Sequence, residues 1–232
     1  MSHLHVTDGV LDLWVIIIAN VVAFGLLCYT CFAMVKDNDK FYNNLAKLGV
    51  VSALMLITMS IPLGPIPAHL SLVLVAALLL GPNLGFISIV IVNLILALIG
   101  HGGITVLGLN SLIMGVELLI GFYLFSFMFN KISWRKAIAV SVAGALVVSV
   151  TLMVTTLVFA GQDVSEAFQS CSTCCNQLDT VSNEQGNGHS HGGIYLFLGT
   201  VGAGILLEIL VVLAIVGYIR KVRPDYLVKG GS

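Results

Sequence analysis

Charge is what this sequence has least of. Only 9% of its 232 residues are Asp, Glu, Lys or Arg, against about 25% in soluble globular chains. Water is therefore not the main solvent of the folded chain. The 10 basic and 11 acidic residues leave a formal net charge of −1. They form no basic block, so a nucleic-acid partner is excluded. Cysteine is sparse too, at five residues. Cys28 and Cys31 lie in an apolar run and read as small apolar side chains. Cys171, Cys174 and Cys175 share one polar segment, where an odd number permits a single disulfide and leaves a thiol over. No GxxxxGK[ST] phosphate loop occurs, so this chain does not carry ATP hydrolysis itself. No Lys or Arg precedes Lys36. The positive start of a cleavable signal peptide is missing, and the N-terminus is expected to be retained apart from loss of the initiator Met.

Apolar residues fill the space that charge leaves. They make up 58% of the chain, and the mean hydropathy is +1.06. Seven apolar runs cover residues 13–35, 45–61, 70–80, 84–100, 104–129, 137–160 and 194–219. Crossing a hydrocarbon core about 30 Å thick takes roughly 20 helical residues, and most of the runs approach that length. The expected fold is all-α, a single polytopic bundle over residues 1–232 with a polar extracytoplasmic loop at 162–193. The run at 70–80, flanked by Pro67 and Pro82, is too short. It is expected as a short or re-entrant helix, which is tolerated at membrane depth only inside protein or beside a cavity. Charge decides its topology. With seven crossings and the N-terminus outside, all ten Lys and Arg fall on the cytoplasmic side with the C-terminus, as the positive-inside rule asks. Without that crossing, Lys131, Arg135 and Lys136 would fall outside, so it is counted as a crossing.

On the same map all six histidines fall outside: His3, His5, His69, His101, His189 and His191. Polar filler would fall on both sides, so the pattern points to an imidazole site open to the exterior. The chain opens MSHLH. A free α-amine, an adjacent backbone amide and a nearby imidazole wrap one ion in fused chelate rings. That planar all-nitrogen set suits Ni(II) and Cu(II). Met1-Ser2-His3 has the spacing if Met1 stays, and Ser2-His3 has a two-residue version if it is removed. A second imidazole from His69 or His101 completes such a site. His69 follows Pro62, Pro65 and Pro67, which stiffen its loop. His101 stands among Gly100, Gly102 and Gly103, which permit close backbone approach or positive φ. Solvated terminal histidines, an interfacial His69 and a plain glycine turn are the bland alternatives.

Two stretches then carry a resemblance. LHVTDGVL (residues 4–11) resembles the N-terminal signature Met-His-Ile-x-Asp/Glu-Gly-x-Leu of the cobalt/nickel substrate-binding components of energy-coupling-factor transporters, the CbiM/NikM family. HGGITVLGLN (residues 101–110) resembles that family's HGGxTxLGxN loop. His69, before the short third span, matches the family's histidine in the second outer region. The three matches come in the family's order. The resemblance implies an ATP-driven importer for Ni2+ or Co2+ in a prokaryotic plasma membrane, connected with cobalamin biosynthesis. This chain would be its non-catalytic substrate-capture subunit. The partners implied are a transmembrane coupling subunit, cytoplasmic ATPases, a small accessory membrane subunit and the lipid bilayer. Carried over, the family's N-terminal histidine falls on His5, its acidic residue on Asp8, its turn glycine on Gly9 and its loop ligand on His69. His101 and Asn110 fall on the supporting loop. One departure matters. The family's initiator Met falls on Leu4, so the free amine here stands beside Ser2 and His3. Either His3 takes over the amine-linked chelate, with His5 a fourth ligand or support, or the site is rebuilt around His5 without the amine. The first is preferred.

Three further features remain. Cys171, Cys174 and Cys175 with His189 and His191 make a credible weak transition-metal grip or a stapled loop. Ala19 and Ala23, and Gly199, Gly202 and Gly204, offer small-residue faces for packing within the bundle or against a partner. Glu117 and Glu208 lie within spans, where ionisable groups are costly. They keep a self-sufficient proton-coupled metal carrier as the competing reading. A metalloenzyme is disfavoured, because only Asp8 stands near the histidines and Asp8-Gly9 reads as a turn.

Overall fold

The computed structural model describes Gly9 and residues 11–35, 38–60, 70–100, 102–159 and 191–223. Within them the chain is helical: α1 (Leu13–Val35), α2 (Asn38–Ser60), α3 (Val73–Leu98), α4 (Leu107–Phe129), α5 (Trp134–Phe159) and α6 (His191–Val222). No strand occurs among the described residues. α1 occupies the first apolar run without overhang. It starts after Asp12, whose carbonyl accepts the Val15 and Ile16 N–H groups at 3.1 and 3.2 Å. Trp14, Ile18, Phe24 and Phe32 on it are exposed, as a lipid-facing helix requires. Ala19 and Ala23 form its buried side, so that small-residue face serves packing within the bundle. Cys28 and Cys31 are free and exposed on the same helix.

α3 is the core of the molecule. It packs most extensively on α2 and α4, while α1 lies across α3 and α4 and α6 packs on α5. The helix is interrupted at Gly81, which takes φ 77° and ψ 175° ahead of Pro82. Glycine is required there because positive φ is costly for other residues. The interruption is a reversal. A Cβ built on Gly85 would lie 3.7 Å from the Ala76 carbonyl oxygen. Nine residues of unbroken helix would separate those positions by about 13 Å. Residues 73–80 therefore run back along residues 82–98. Eight residues rise only about 12 Å, well short of a 30 Å hydrocarbon core. All of the short piece except the half-buried Leu79 is buried, the condition expected of it. It begins from Leu72, itself buried, at φ 51°.

Among the described residues five helices are long and apolar enough, by length and composition, to cross a bilayer: α1, α3 taken as one stretch across its break at Gly81, α4, and the Trp134–Thr156 and Gly202–Val222 parts of α5 and α6. α2 contributes a shorter apolar stretch, Asn44–Ser60. The expected third and fourth spans are thus the two arms of one broken helix, and the short arm is no full-length span of its own. α6 begins at His191, so the polar loop expected to reach residue 193 gives up its last three residues to the helix.

The two ends of the bundle differ in chemistry. At one end the Arg220 guanidinium lies 5.3 Å from the Trp134 ring and 5.9 Å from Phe129, and Lys131 sits 3.7 Å over Phe127. The basic residues of the α4–α5 turn and of the α6 C-terminus therefore meet. At the other end Leu11 packs with Val106, Ile113 and Met153 in a small separate core, joined by Ile16 and Leu109.

Candidate metal-binding end of the bundle

The end away from the arginines is where the sequence puts the imidazoles. Ser2, His3, His5, Asp8, His69 and His101, together with Cys171, Cys174, Cys175 and His189, lie outside the described residues. Among the described residues no three His, Cys, Asp or Glu side chains come together. What the structure gives is the scaffold on either side of the expected ligands. Gly9 (φ 85°), Gly100 (φ 87°) and Gly102 (φ 109°) all have positive φ, the role read for glycines flanking His101. Asn110 is buried in the first turn of α4, and its N–H reaches the Val106 carbonyl at 3.0 Å.

One side chain ties these segments together. The Asn20 amide of α1 donates to the Ile16 carbonyl at 2.9 Å and to the Thr105 carbonyl at 2.6 Å. Its Oδ1 accepts the Gly108 N–H at 3.0 Å. The first N–H groups of a helix have no partner within it, and Val106, at the cap position of α4, supplies no side-chain bond. Asn20 fills that gap from 88 residues away. Gly108 allows the approach, because a Cβ on it would stand 2.6 Å from the Asn20 Cα. With Leu11 packed on Val106, the root of the N-terminal arm and the loop after His101 are joined by an apolar contact and by hydrogen bonds.

A family model described as the cobalt uptake substrate-specific transmembrane region, CbiM, matches residues 5–226. The chain belongs to the CbiM family. This family is a membrane transport component for transition metal, not an enzyme family. Two crystal structures have the same fold. One, a transition metal transporter, superposes with a TM-score of 0.69 at 20% identity, covering 94% of this chain and 93% of its own. The other, a truncated transition metal transporter, gives 0.67 at 19% identity over 94% and 99%. A comparison with curated protein sequences gives no significant match. With five candidate spans among its described residues, this CbiM-family chain is a multi-pass membrane protein.

A second polar centre of this family member lies deep in the bundle. The Ser71 hydroxyl donates to Glu208 Oε1 at 2.5 Å, and its Oγ stands 3.4 Å from Glu117 Oε1. All three residues are buried. The arrangement joins the start of the short helix to α4 and α6. Nearby helices carry a Ser52–Ser88 hydroxyl pair at 2.8 Å and an Asn93–Ser111 bond at 3.2 Å. These polar contacts occur where a helix bundle in lipid satisfies polar groups internally. Sequence reading singled out Glu117 and Glu208 but not their shared partner Ser71, and it missed Asn20. Asn20 had one visible signal, being the only amide or charged side chain in the apolar run 13–35.

Proposed function

We propose that this chain is the substrate-capture subunit of an energy-coupling-factor importer for Ni2+ or Co2+ in a prokaryotic plasma membrane. The ion binds at the outer mouth through the N-terminal arm and loop imidazoles. Ser2 and His3 supply the amine-linked chelate, and His5, His69 and His101 supply imidazole. Asp8 and Asn110 support the two segments. One observation carries this reading: in a CbiM-family chain, Leu11 and Asn20 bind the root of the arm directly to residues 105–108. Both segments with the family's metal-site signatures are thereby anchored at one end of the bundle. The opposite end carries the Lys131–Arg135–Arg220 basic cluster, which fits a cytoplasmic face.

Nitrogen ligands of this kind suit a late divalent ion. Capture requires the amine and imidazoles to give up protons to the metal. In ATP-driven import the energy comes from partners, since the sequence holds no phosphate loop. The family resemblance supplies the partners of this reading: a transmembrane coupling subunit, cytoplasmic ATPases and a small accessory subunit. The test is uptake into vesicles holding this chain alone or with those partners. ATP-dependent Ni2+ or Co2+ uptake only in the complete set supports the reading.

The competing reading is a self-sufficient proton-coupled carrier. It is favoured by the meeting of Glu117 and Glu208 at Ser71. Uptake by the chain alone, driven by a proton gradient and lost in Glu117→Gln and Glu208→Gln, would establish it instead.

A further inference from the structure

We infer that Asn20 is a positioning residue for the captured ion, setting the spacing between the N-terminal arm and the loop that follows His101. The inference rests on the metal-capture reading above. It uses a side chain that neither the family signatures nor the histidine pattern point to.

Asn20 is fully committed. A side-chain amide offers two N–H donors and one carbonyl oxygen. Here one donor direction goes to Ile16, the other to Thr105, and the oxygen takes the Gly108 N–H. The Ile16 bond is a contact to its own helix, four residues back, and it fixes the rotation of the amide on α1. The other two then reach across to the loop and to the first turn of α4. The amide therefore acts as a rigid spacer between two backbones. Gly108 lets those backbones meet directly, since the same built Cβ would also lie 2.9 Å from the Asn20 backbone nitrogen. Leu11 on Val106 holds the junction from the side of the arm.

Chain reach gives this junction its leverage. His101 precedes Thr105 by four residues and His5 precedes Leu11 by six. An extended chain covers at most about 3.5 Å per residue, so tethers of four and six residues reach no further than about 14 and 21 Å. A site assembled from two such short tethers inherits the spacing of their anchors. Binding sites lose performance when ligands are misplaced by about 1 Å. A planar chelate completed by an imidazole from another segment is of that kind.

The plain alternative is that Asn20 only caps α4. Two variants of the full chain separate the roles. Asn20→Asp keeps an acceptor for the Gly108 N–H but has no donor for Thr105. Asn20→Leu keeps neither. Each is purified in detergent and titrated with Ni2+ and Co2+ alone, with thermal stability and the visible absorption spectrum of the Ni2+-loaded protein recorded alongside. Asn20→Asp, whose carboxylate faces the Ile16 and Thr105 carbonyls in place of a donor, is expected to lose some stability but still fold, and to bind about 10–100-fold more weakly, the range for residues that orient metal ligands, with a shifted Ni2+ spectrum. Asn20→Leu is expected to lose both stability and affinity. Native affinity and spectrum in Asn20→Asp would overturn the inference, and so would an affinity loss that merely follows melting temperature with an unchanged spectrum. If the native chain binds neither ion, the metal-capture reading fails and the inference fails with it. If the native chain binds and Asn20→Asp binds equally well, only the inference fails.

Discussion

Gly108 and Asn20 are in backbone contact: a Cβ on Gly108 would lie 2.6 Å from the Asn20 Cα. Backbone atoms on a packed helix have little room to yield. Gly108→Ala is therefore expected to push the start of α4 away from α1 and break the Gly108–Asn20 bond together with the Thr105 bond. A loss on the order of 1–3 kcal/mol is expected from the overpacking. Thermal unfolding in detergent measures it, and Gly49→Ala, on an exposed position of α2 with nothing within 4 Å, is the control that should change little.

Gly81 poses a different demand, since nothing crowds it and only its φ of 77° requires glycine. Gly81→Ala should cost about 1–2 kcal/mol, the penalty for an L-residue in left-handed backbone. The same unfolding assay reads it. Native stability in Gly81→Ala would mean that residues 73–80 do not fold back along residues 82–98.

How much of this was legible beforehand depends on the reach of the signal. α1 fills its apolar run from Leu13 to Val35 because Asp12 and Lys36 bound that run. The break before Pro82 was announced by a short run between prolines, since proline ends a helix and restricts its predecessor. The fold-back at Gly81 was not legible, because composition does not distinguish a short span from half of a reversed helix. Likewise the run starting at Ile194 hid three more helical residues back to His191, because His-Gly-Gly scores as loop. The Asn20–Gly108 and Ser71–Glu208 pairs are separated by 88 and 137 residues. No local periodicity reports such partners. The expected ligands Ser2, His3, His5, His69 and His101 rest only on motif and charge pattern, and they lie outside the described residues.

The Ser71 centre separates structure from transport. Removing its hydroxyl takes away the short bond to Glu208 in a buried place, a loss worth about 1–3 kcal/mol. Ser71→Ala should lower the melting temperature accordingly. Glu117→Gln and Glu208→Gln should leave Ni2+ affinity within a factor of a few, since both residues lie deep in the bundle on α4 and α6 rather than at the outer mouth. Loss of affinity in either would move the captured ion to the bundle centre.

The polar segment with Cys171, Cys174 and Cys175 is expected to be dispensable for tight capture. It is rich in Ser, Asn and Gly and lacks apolar periodicity. Deleting residues 170–190 spares α6, which starts at His191, and should change Ni2+ affinity only a few-fold by calorimetry. A collapse would place the site on the cysteines and His189.

The central claim is that the chain's own terminus is a metal ligand. Metal must displace protons from the amine and from imidazole, so affinity should fall as pH drops through about 8 to 6, across the reference pKa values of those groups. The direct measurement is calorimetric titration of the purified chain with Ni2+ and Co2+. It compares the native protein with a version carrying a permanent N-terminal tag, and with His3→Ala, His5→Ala and His69→Ala. The account predicts one tight ion per native chain, severe weakening by the tag, His3→Ala and His69→Ala, and a loss of about 10–100-fold in His5→Ala. Native-like binding by the tagged and His3→Ala proteins, with binding lost in His5→Ala, would contradict it and put the site on His5 without the amine.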